Sequence, residues 1–388
     1  MRAVLQSVHR IAAEVVSAHA ASVDAESRFP VESIAALKQA GLLGALVPQE
    51  LGGMALDFAT VLAICHLLGR HCASTAMIFA MHQIQVACVL LHRRDVAWQR
   101  DFLGQIAGRQ LLLASATTEA GIGGDLSRSS CAVIRDGDRF TIEKRGTVIS
   151  YGDQADAVLI TARSGPDAQP TDQVIVVALK DQYVLEKTGG WDALGMRGTC
   201  SNSYVLRAAG HADQVIPEPY ADISPRTMVP VAHLTWSSLW LGIATDAVSR
   251  ARAFVRKQKQ PAGEGMPPSM NAMRLAAAVS QLQAMKANIV AAARQYENAL
   301  KNADGVTALS FSIAMNNVKT STAYRAVEVI NQAMLICGIA GYKNDTPFSL
   351  GRHLRDAHSA ALMVNNDRID ANTASLLRVH KLDGDLFD

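Results

Sequence analysis

Aromatic residues make up only 5% of the 388-residue chain. So few large rings exclude a core built on ring stacking. The abundance of alanine points instead to helices that approach one another closely. Charge is also sparse: 37 Lys and Arg stand against 35 Asp and Glu, a formal net charge of +2. That balance offers no electrostatic footprint for nucleic acid or a membrane surface. No unbroken apolar run reaches the roughly 18 residues a membrane span needs. The opening MRAVLQSVHRIAAEVV has no apolar core followed by a cleavage site, so it reads as an amphipathic helix rather than a signal peptide. Cys65, Cys72, Cys88, Cys131, Cys200 and Cys337 form no C-x-x-C pair. A zinc ribbon or thioredoxin-type centre therefore lacks ligands, no metal site is expected, and the thiols read as buried and free in a reducing cytoplasm.

Against these absences stands a chain that is 49% hydrophobic with a mean hydropathy of +0.11, enough to bury a large core. Its patterning changes twice. Residues 1–111 are helical, with runs at 31–43, 58–70 and 74–92; the last is apolar nearly all round, as a buried helix is. Residues 112–225 carry short Val- and Ile-rich runs at 140–142, 148–150, 157–161, 173–179 and 203–206, punctuated by Asp-Gly, Tyr-Gly-Asp and Gly-Pro-Asp turns. No helical pattern separates them, so an antiparallel sheet or barrel is expected and a Rossmann fold is not. Residues 226–388 return to long helices at 239–257, 269–300, 309–337 and 350–379, which read as a four-helix bundle. The fold class is thus α+β multidomain: a helical N-terminal domain, a middle antiparallel β domain and a C-terminal bundle.

Thr117 and Thr118 end a short apolar run directly before a turn containing Gly121, Gly123 and Gly124. Glycines there let backbone amides approach a carbonyl or phosphate closely. By itself the pattern also suits a plain tight turn. The segment Thr118-Glu119-Ala120-Gly121-Ile122-Gly123-Gly124-Asp125 resembles the T-E-P-G-x-G-S-D signature of the acyl-CoA dehydrogenase family. Val47-Pro48-Gln49-Glu50 with Gly52-Gly53, then Leu194-Gly195-Met196-Arg197-Gly198-Thr199, then Arg355-Asp356-Ala357 resemble further blocks of that family, in its order along nearly the whole chain.

The resemblance implies FAD. It places Thr117, Thr118, Gly123 and Gly124 around the flavin, although Gly124 stands where the family has a serine. Val148-Ile149-Ser150 is similar to the family's W-I-T, which implies that Ile149 and Ser150 contact the flavin. Ser150 keeps the hydroxyl that donates to the N5 region of the ring, while Val148, at the position that flanks the ring, lacks the aromatic face. Arg256 occupies the place of an arginine that reaches the cofactor diphosphate across a subunit boundary, a role suited to guanidinium. Lys259 stands where an aromatic is usual. Gly338 keeps part of a glycine motif, and Asn366 and Arg368 fall on positions implied to touch the diphosphate and ribose. The family also implies a homodimer or homotetramer.

A carboxylate that removes the α-proton of an acyl thioester is what this family's dehydrogenases require. Counting from Arg355-Asp356-Ala357, that register holds Val364; the alternative register in the first bundle helix falls near Ala232. Neither is acidic. Asp367, His233 and His82 are the ionisable residues that could substitute, each with an ordinary structural reading beside it: a helix-capping acid and two packed imidazoles. The expected function is an FAD-dependent oxidoreductase acting on a CoA or carrier-protein thioester, with an electron-transfer flavoprotein or oxygen as acceptor. A flavin-dependent monooxygenase is one alternative, although Met363 stands where such relatives commonly carry a histidine. A flavin- or thioester-binding protein or lyase without net redox turnover is the other.

Overall fold

The computed structural model describes residues 2–258, 269–301 and 305–381; Lys259 lies outside them. Six helices come first: α1 (Arg2–Ile11), α2 (Ser17–Ala25), α3 (Val31–Gln39), α4 (Phe58–Gly69), α5 (Ala73–His92) and α6 (Ala97–Arg109). Helix α4 begins where the Asp57 carboxylate accepts the Thr60 N–H at 2.7 Å, an N-cap. Helix α5 is long and apolar enough to cross a membrane, yet 83% of its apolar window is buried within the protein. It is a core helix.

Seven strands follow: β1 (Leu113–Ala116), β2 (Ile134–Asp136), β3 (Arg139–Ile149), β4 (Ala157–Arg163), β5 (Gln173–Leu179), β6 (Tyr183–Gly189) and β7 (Asn202–His211). They form two sheets, β1-β4-β5 and β2-β3-β7-β6. The second is antiparallel throughout, but β1 pairs with β4 in parallel, a departure from the all-antiparallel expectation. Strand β1 (LASA) has no β-branched residue to announce it, β2 (IRD) is three exposed residues, and the edge strand β6 (YVLEKTG) is largely exposed; none stood out in the sequence. The runs at 140–142 and 148–150 belong to one strand, β3, whose alternate residues are buried.

The C-terminal helices are α7 (Tyr220–Ile223), α8 (Val229–Lys257), α9 (Met270–Ala299), α10 (Leu309–Cys337), α11 (Ile339–Tyr342), α12 (Gly351–Leu362) and α13 (Asn366–Leu377). Helix α8 starts ten residues earlier than its periodicity suggested and follows directly on a π-helical turn at Ser224–Met228, with Pro230 near its start. The fourth helix of the bundle is two helices. They part at Met363–Asn365, where Val364 takes a left-handed φ of +49°. Helix α10 packs against α8, α9, α12 and α13, and α8 also packs against α4 and α5. The α4–α8 crossing is close because Gly69 and Gly242 meet there: a Cβ on Gly69 would stand 2.4 Å from the Leu239 carbonyl oxygen. Helical N-terminus, sheets and bundle thereby share one continuous core.

Candidate functional site

A cavity of about 770 Å³ opens where the three regions meet. Helix α5 contributes Met77, Met81 and Gln85; the start of α8 contributes Ala232, His233 and Trp236. The second sheet and its loops add Ser150, Thr199 and Ser201, and α12 adds Arg355, His358 and Ser359. Five methionines line it (Met77, Met81, Met196, Met228 and Met363), a soft and adaptable apolar wall. Val364 and Ala232, the two registers where a carboxylate was sought, both reach this wall. Among the described residues the wall contains no Asp or Glu.

The proposed cofactor residues divide. Thr117, Thr118 and Ser150 line the cavity. The Thr118 hydroxyl donates to the Val148 carbonyl at 2.8 Å and accepts the Val148 N–H at 3.1 Å, fastening the end of β1 to β3. Ile149 is fully buried behind the wall rather than on it. Gly121, Gly123 and Gly124 turn with φ of +89°, +58° and +79°, which requires glycine. The Arg368 guanidinium donates to the Gly123 carbonyl and lies over Gly124, so two expected contacts meet each other. Asn366 is buried, with its Oδ1 accepting from the Lys319 ammonium at 2.6 Å and its Nδ2 without a partner among the described residues. Arg256 is exposed on the last turn of α8 and Gly338 lies at the α10–α11 junction, both away from the wall.

The three substitute bases also separate. His82 is fully buried and absent from the wall. Its Nε2 donates to the Leu43 carbonyl at 2.8 Å, and its Nδ1 accepts the Leu113 N–H at 3.1 Å. Burial lowers its pKa to about 4, so it is a neutral clamp between the N-terminal helices and β1. Asp367 is exposed in the first turn of α13, off the wall, where an acid complements the helix dipole. His233 does line the cavity. Its Nδ1 donates to the Met315 carbonyl at 2.9 Å, burial pushes its pKa down to about 3, and Nε2 has no partner among the described residues. His358, which sequence reasoning passed over, also lines the cavity, from the exposed side of α12. Its only signal was its place one residue beyond Arg355-Asp356-Ala357.

The signature residues that resemble the family most closely bind the protein to itself. Glu119 is buried and accepts the Cys131 N–H at 2.8 Å and the Ser129 hydroxyl at 2.7 Å, with the fully buried Lys144 ammonium 3.5 Å away. Arg355 forms an ion pair with Asp24 and donates to the Leu194 carbonyl at 2.9 Å. Asp356 accepts the Met196 N–H at 2.7 Å. These contacts hold the turns that border the cavity.

A helical region, a two-sheet region and a helical bundle thus enclose one cavity at their junction. The chain belongs to the acyl-CoA dehydrogenase family: residues 1–110 match "Acyl-CoA dehydrogenase, N-terminal domain" and residues 229–364 match "Acyl-CoA dehydrogenase, C-terminal domain". It is 24% identical over 367 residues to "Probable acyl-CoA dehydrogenase fadE25" of Mycobacterium leprae, covering 94% of this chain and 91% of that protein. It is also 24% identical over 371 residues to cyclohex-1-ene-1-carbonyl-CoA dehydrogenase of Geobacter metallireducens, covering 94% of each. Among solved structures, FMN-bound TdsC from Paenibacillus sp. A11-2 superposes with a TM-score of 0.86 at 18% identity, over 98% of both chains. Butyryl-CoA dehydrogenase from Megasphaera elsdenii does so with 0.79 at 18%, over 97% of both.

Proposed function

We propose that the protein is a flavin-dependent oxidoreductase that acts on an apolar substrate without a carboxylate base. The observation that carries this reading is the cavity wall: both registers for the base face it, as Val364 and Ala232, and no described acid replaces them. The residues fit a flavin. Apolar side chains suit a flat ring system, while Thr117 and Ser150 offer hydroxyls to its polar edge. Gln85 Oε1, Gln173 Oε1 and Trp236 Nε1 belong to residues of the wall and are buried without partners among the described residues, a set that a polar ligand would satisfy. Bound there, the flavin would supply two-electron chemistry toward a substrate or oxygen.

FAD is proposed over FMN. Arg256 makes no hydrogen bond or ion pair within the chain among the described residues, as expected of a side chain serving a second subunit of a homodimer or homotetramer. Six free cysteines suit a reducing, cytoplasmic setting. His358 is assigned the acid–base work and His233 Nε2 the role of a neutral acceptor. Without a carboxylate, α-proton removal from a thioester lacks its base, which favours oxygen as the electron acceptor, as in a monooxygenase. The second reading, thioester dehydrogenation with an electron-transfer flavoprotein, is favoured by the names of the relatives matched over 94% of the chain. An anaerobic titration of the coloured protein with acyl-CoAs of graded length separates the two. Slow or absent bleaching supports the carboxylate-free reading; rapid stoichiometric bleaching overturns it.

A further inference from the structure

Three hydroxyls stand in line along the cavity wall. Ser150 Oγ lies 2.7 Å from Ser201 Oγ, and Ser201 Oγ lies 2.7 Å from Thr199 Oγ1. Thr199 Oγ1 ends the line 2.8 Å from the Met196 carbonyl oxygen. All three side chains are buried and all three line the cavity. A carbonyl can only accept, so the Thr199 proton points to Met196 in this arrangement. Ser201 must then donate to Thr199, and Ser150 to Ser201. Ser150 therefore turns only lone pairs toward a ligand.

The line can also run the other way without leaving a buried group unpaired. The Met196 carbonyl oxygen still accepts the Trp191 Nε1–H at 3.1 Å and the Thr199 backbone N–H at 3.1 Å when the Thr199 hydroxyl turns away. Thr199 then donates to Ser201, Ser201 to Ser150, and Ser150 to an acceptor in the cavity. Reversal rotates three O–H bonds and moves no proton between atoms. The loop that carries this device is held in place: Met196 and Cys200 both adopt left-handed φ, and the Thr199 carbonyl accepts the Tyr151 N–H at 2.8 Å.

We propose that Ser201 and Thr199 are positioning residues that allow Ser150 to accept from a bound cofactor atom when it carries a proton and to donate to it when it does not. The proposal rests on the flavin reading above, in which Ser150 offers its hydroxyl to the polar edge of the ring. The atom it would serve is a ring nitrogen that is bare when the flavin is oxidised and protonated when it is reduced. Losing the relay affects the reduced state more. There Ser150 must place its own proton behind itself, and an unsatisfied buried donor is costlier than an unused lone pair.

The test is the oxidised–reduced equilibrium of the flavin-loaded protein, measured anaerobically against a reference dye. Ser201→Ala and the near-isosteric Thr199→Val are expected to bind flavin normally while shifting that equilibrium about tenfold toward the oxidised form, roughly 30 mV for a two-electron couple. Thr199→Ser keeps the hydroxyl and should match the parent protein. In a Ser150→Ala background, Ser201→Ala should add nothing, because its effect passes through Ser150. Coloured variants at the parent potential overturn the relay, and so does a Ser201→Ala shift that persists without the Ser150 hydroxyl. If Ser201→Ala does not fold, Thr199→Val decides. A parent protein that cannot be loaded with flavin overturns the underlying reading instead, and it shows as an absence of colour before any variant is compared.

Discussion

The Asp356 carboxylate accepts the backbone N–H of Met196 at 2.7 Å, joining α12 to the loop that carries Thr199 and Ser201 across 160 residues of sequence. Burial raises its pKa from 3.8 to about 6. The folded protein thus holds this proton more tightly than the unfolded chain. Its contribution to stability is full below pH 3.8 and is lost as the pH climbs toward 6. Asp356→Asn removes that dependence. The stability of the parent minus that of Asp356→Asn, measured by urea unfolding, should therefore fall between pH 4 and pH 6, by up to about 3 kcal/mol. A difference that stays flat with pH contradicts the assignment.

His66, His82 and His233 behave in the opposite sense. Desolvation lowers their pKa values from 6.5 to about 4, about 4 and about 3. The unfolded chain takes up these protons first, so the stability they confer is present above pH 6.5 and lost as the pH falls toward 4. His82→Gln should cost about 1–3 kcal/mol at pH 7.5 by leaving the Leu43 carbonyl or the Leu113 N–H unpaired. It should also make unfolding less sensitive to acid. Equal acid sensitivity of His82→Gln and the parent would count against the neutral clamp.

Glu119→Gln leaves the Lys144 ammonium buried without its carboxylate. Breaking one side of such a pair costs about 3–5 kcal/mol. Chemical denaturation should show a loss of that size. The damage should centre on the Ser129–Cys131 segment that Glu119 anchors, detectable as faster amide exchange at the Cys131 N–H. A change within experimental error would mean the pair contributes little.

Val364→Glu places a carboxylate on the cavity wall. The site tolerates the change well, because Val364 is a β-branched residue at positive φ, which an unbranched side chain occupies with less strain. Anaerobic bleaching by butyryl- or octanoyl-CoA should rise by about 10²–10⁴-fold, the usual contribution of a general base. No gain, with the acyl-CoA shown to bind, would mean that more than the base separates this cavity from α,β-dehydrogenation.

His358→Asn should leave the melting temperature nearly unchanged, since the side chain is exposed and bonds to no other described group. Turnover of any substrate that consumes oxygen should fall by at least about tenfold. Undiminished turnover would remove His358 from the acid–base role.

Much of the architecture was legible because helix and strand periodicity are local properties. Runs at 58–70, 74–92 and 309–337 became α4, α5 and α10, and 173–179 became β5. The strands that stayed hidden, β1, β2 and β6, take their conformation from pairing rather than from their own residues: β1 from β4, β2 from β3 and β6 from β7. The absence of an acid at Val364 and Ala232 was likewise a matter of residue identity and needed no coordinates.

Which side chains meet was another matter. His82 and His233 look alike in sequence, each in an apolar helix, yet one is locked between backbone groups and the other faces the cavity. Asp367 sits three residues beyond Val364, but the helix break at Met363–Asn365 turns it to solvent. Ser150 and Ser201 touch although 51 residues separate them. Residue chemistry and local periodicity are written in the order of amino acids, so the sequence alone determined the order of helical, sheet and helical regions, most of their long elements, and the apolar residues at 364 and 232. Facing, burial and hydrogen-bond polarity depend on surfaces from distant segments closing on one another, and only the tertiary structure decided them.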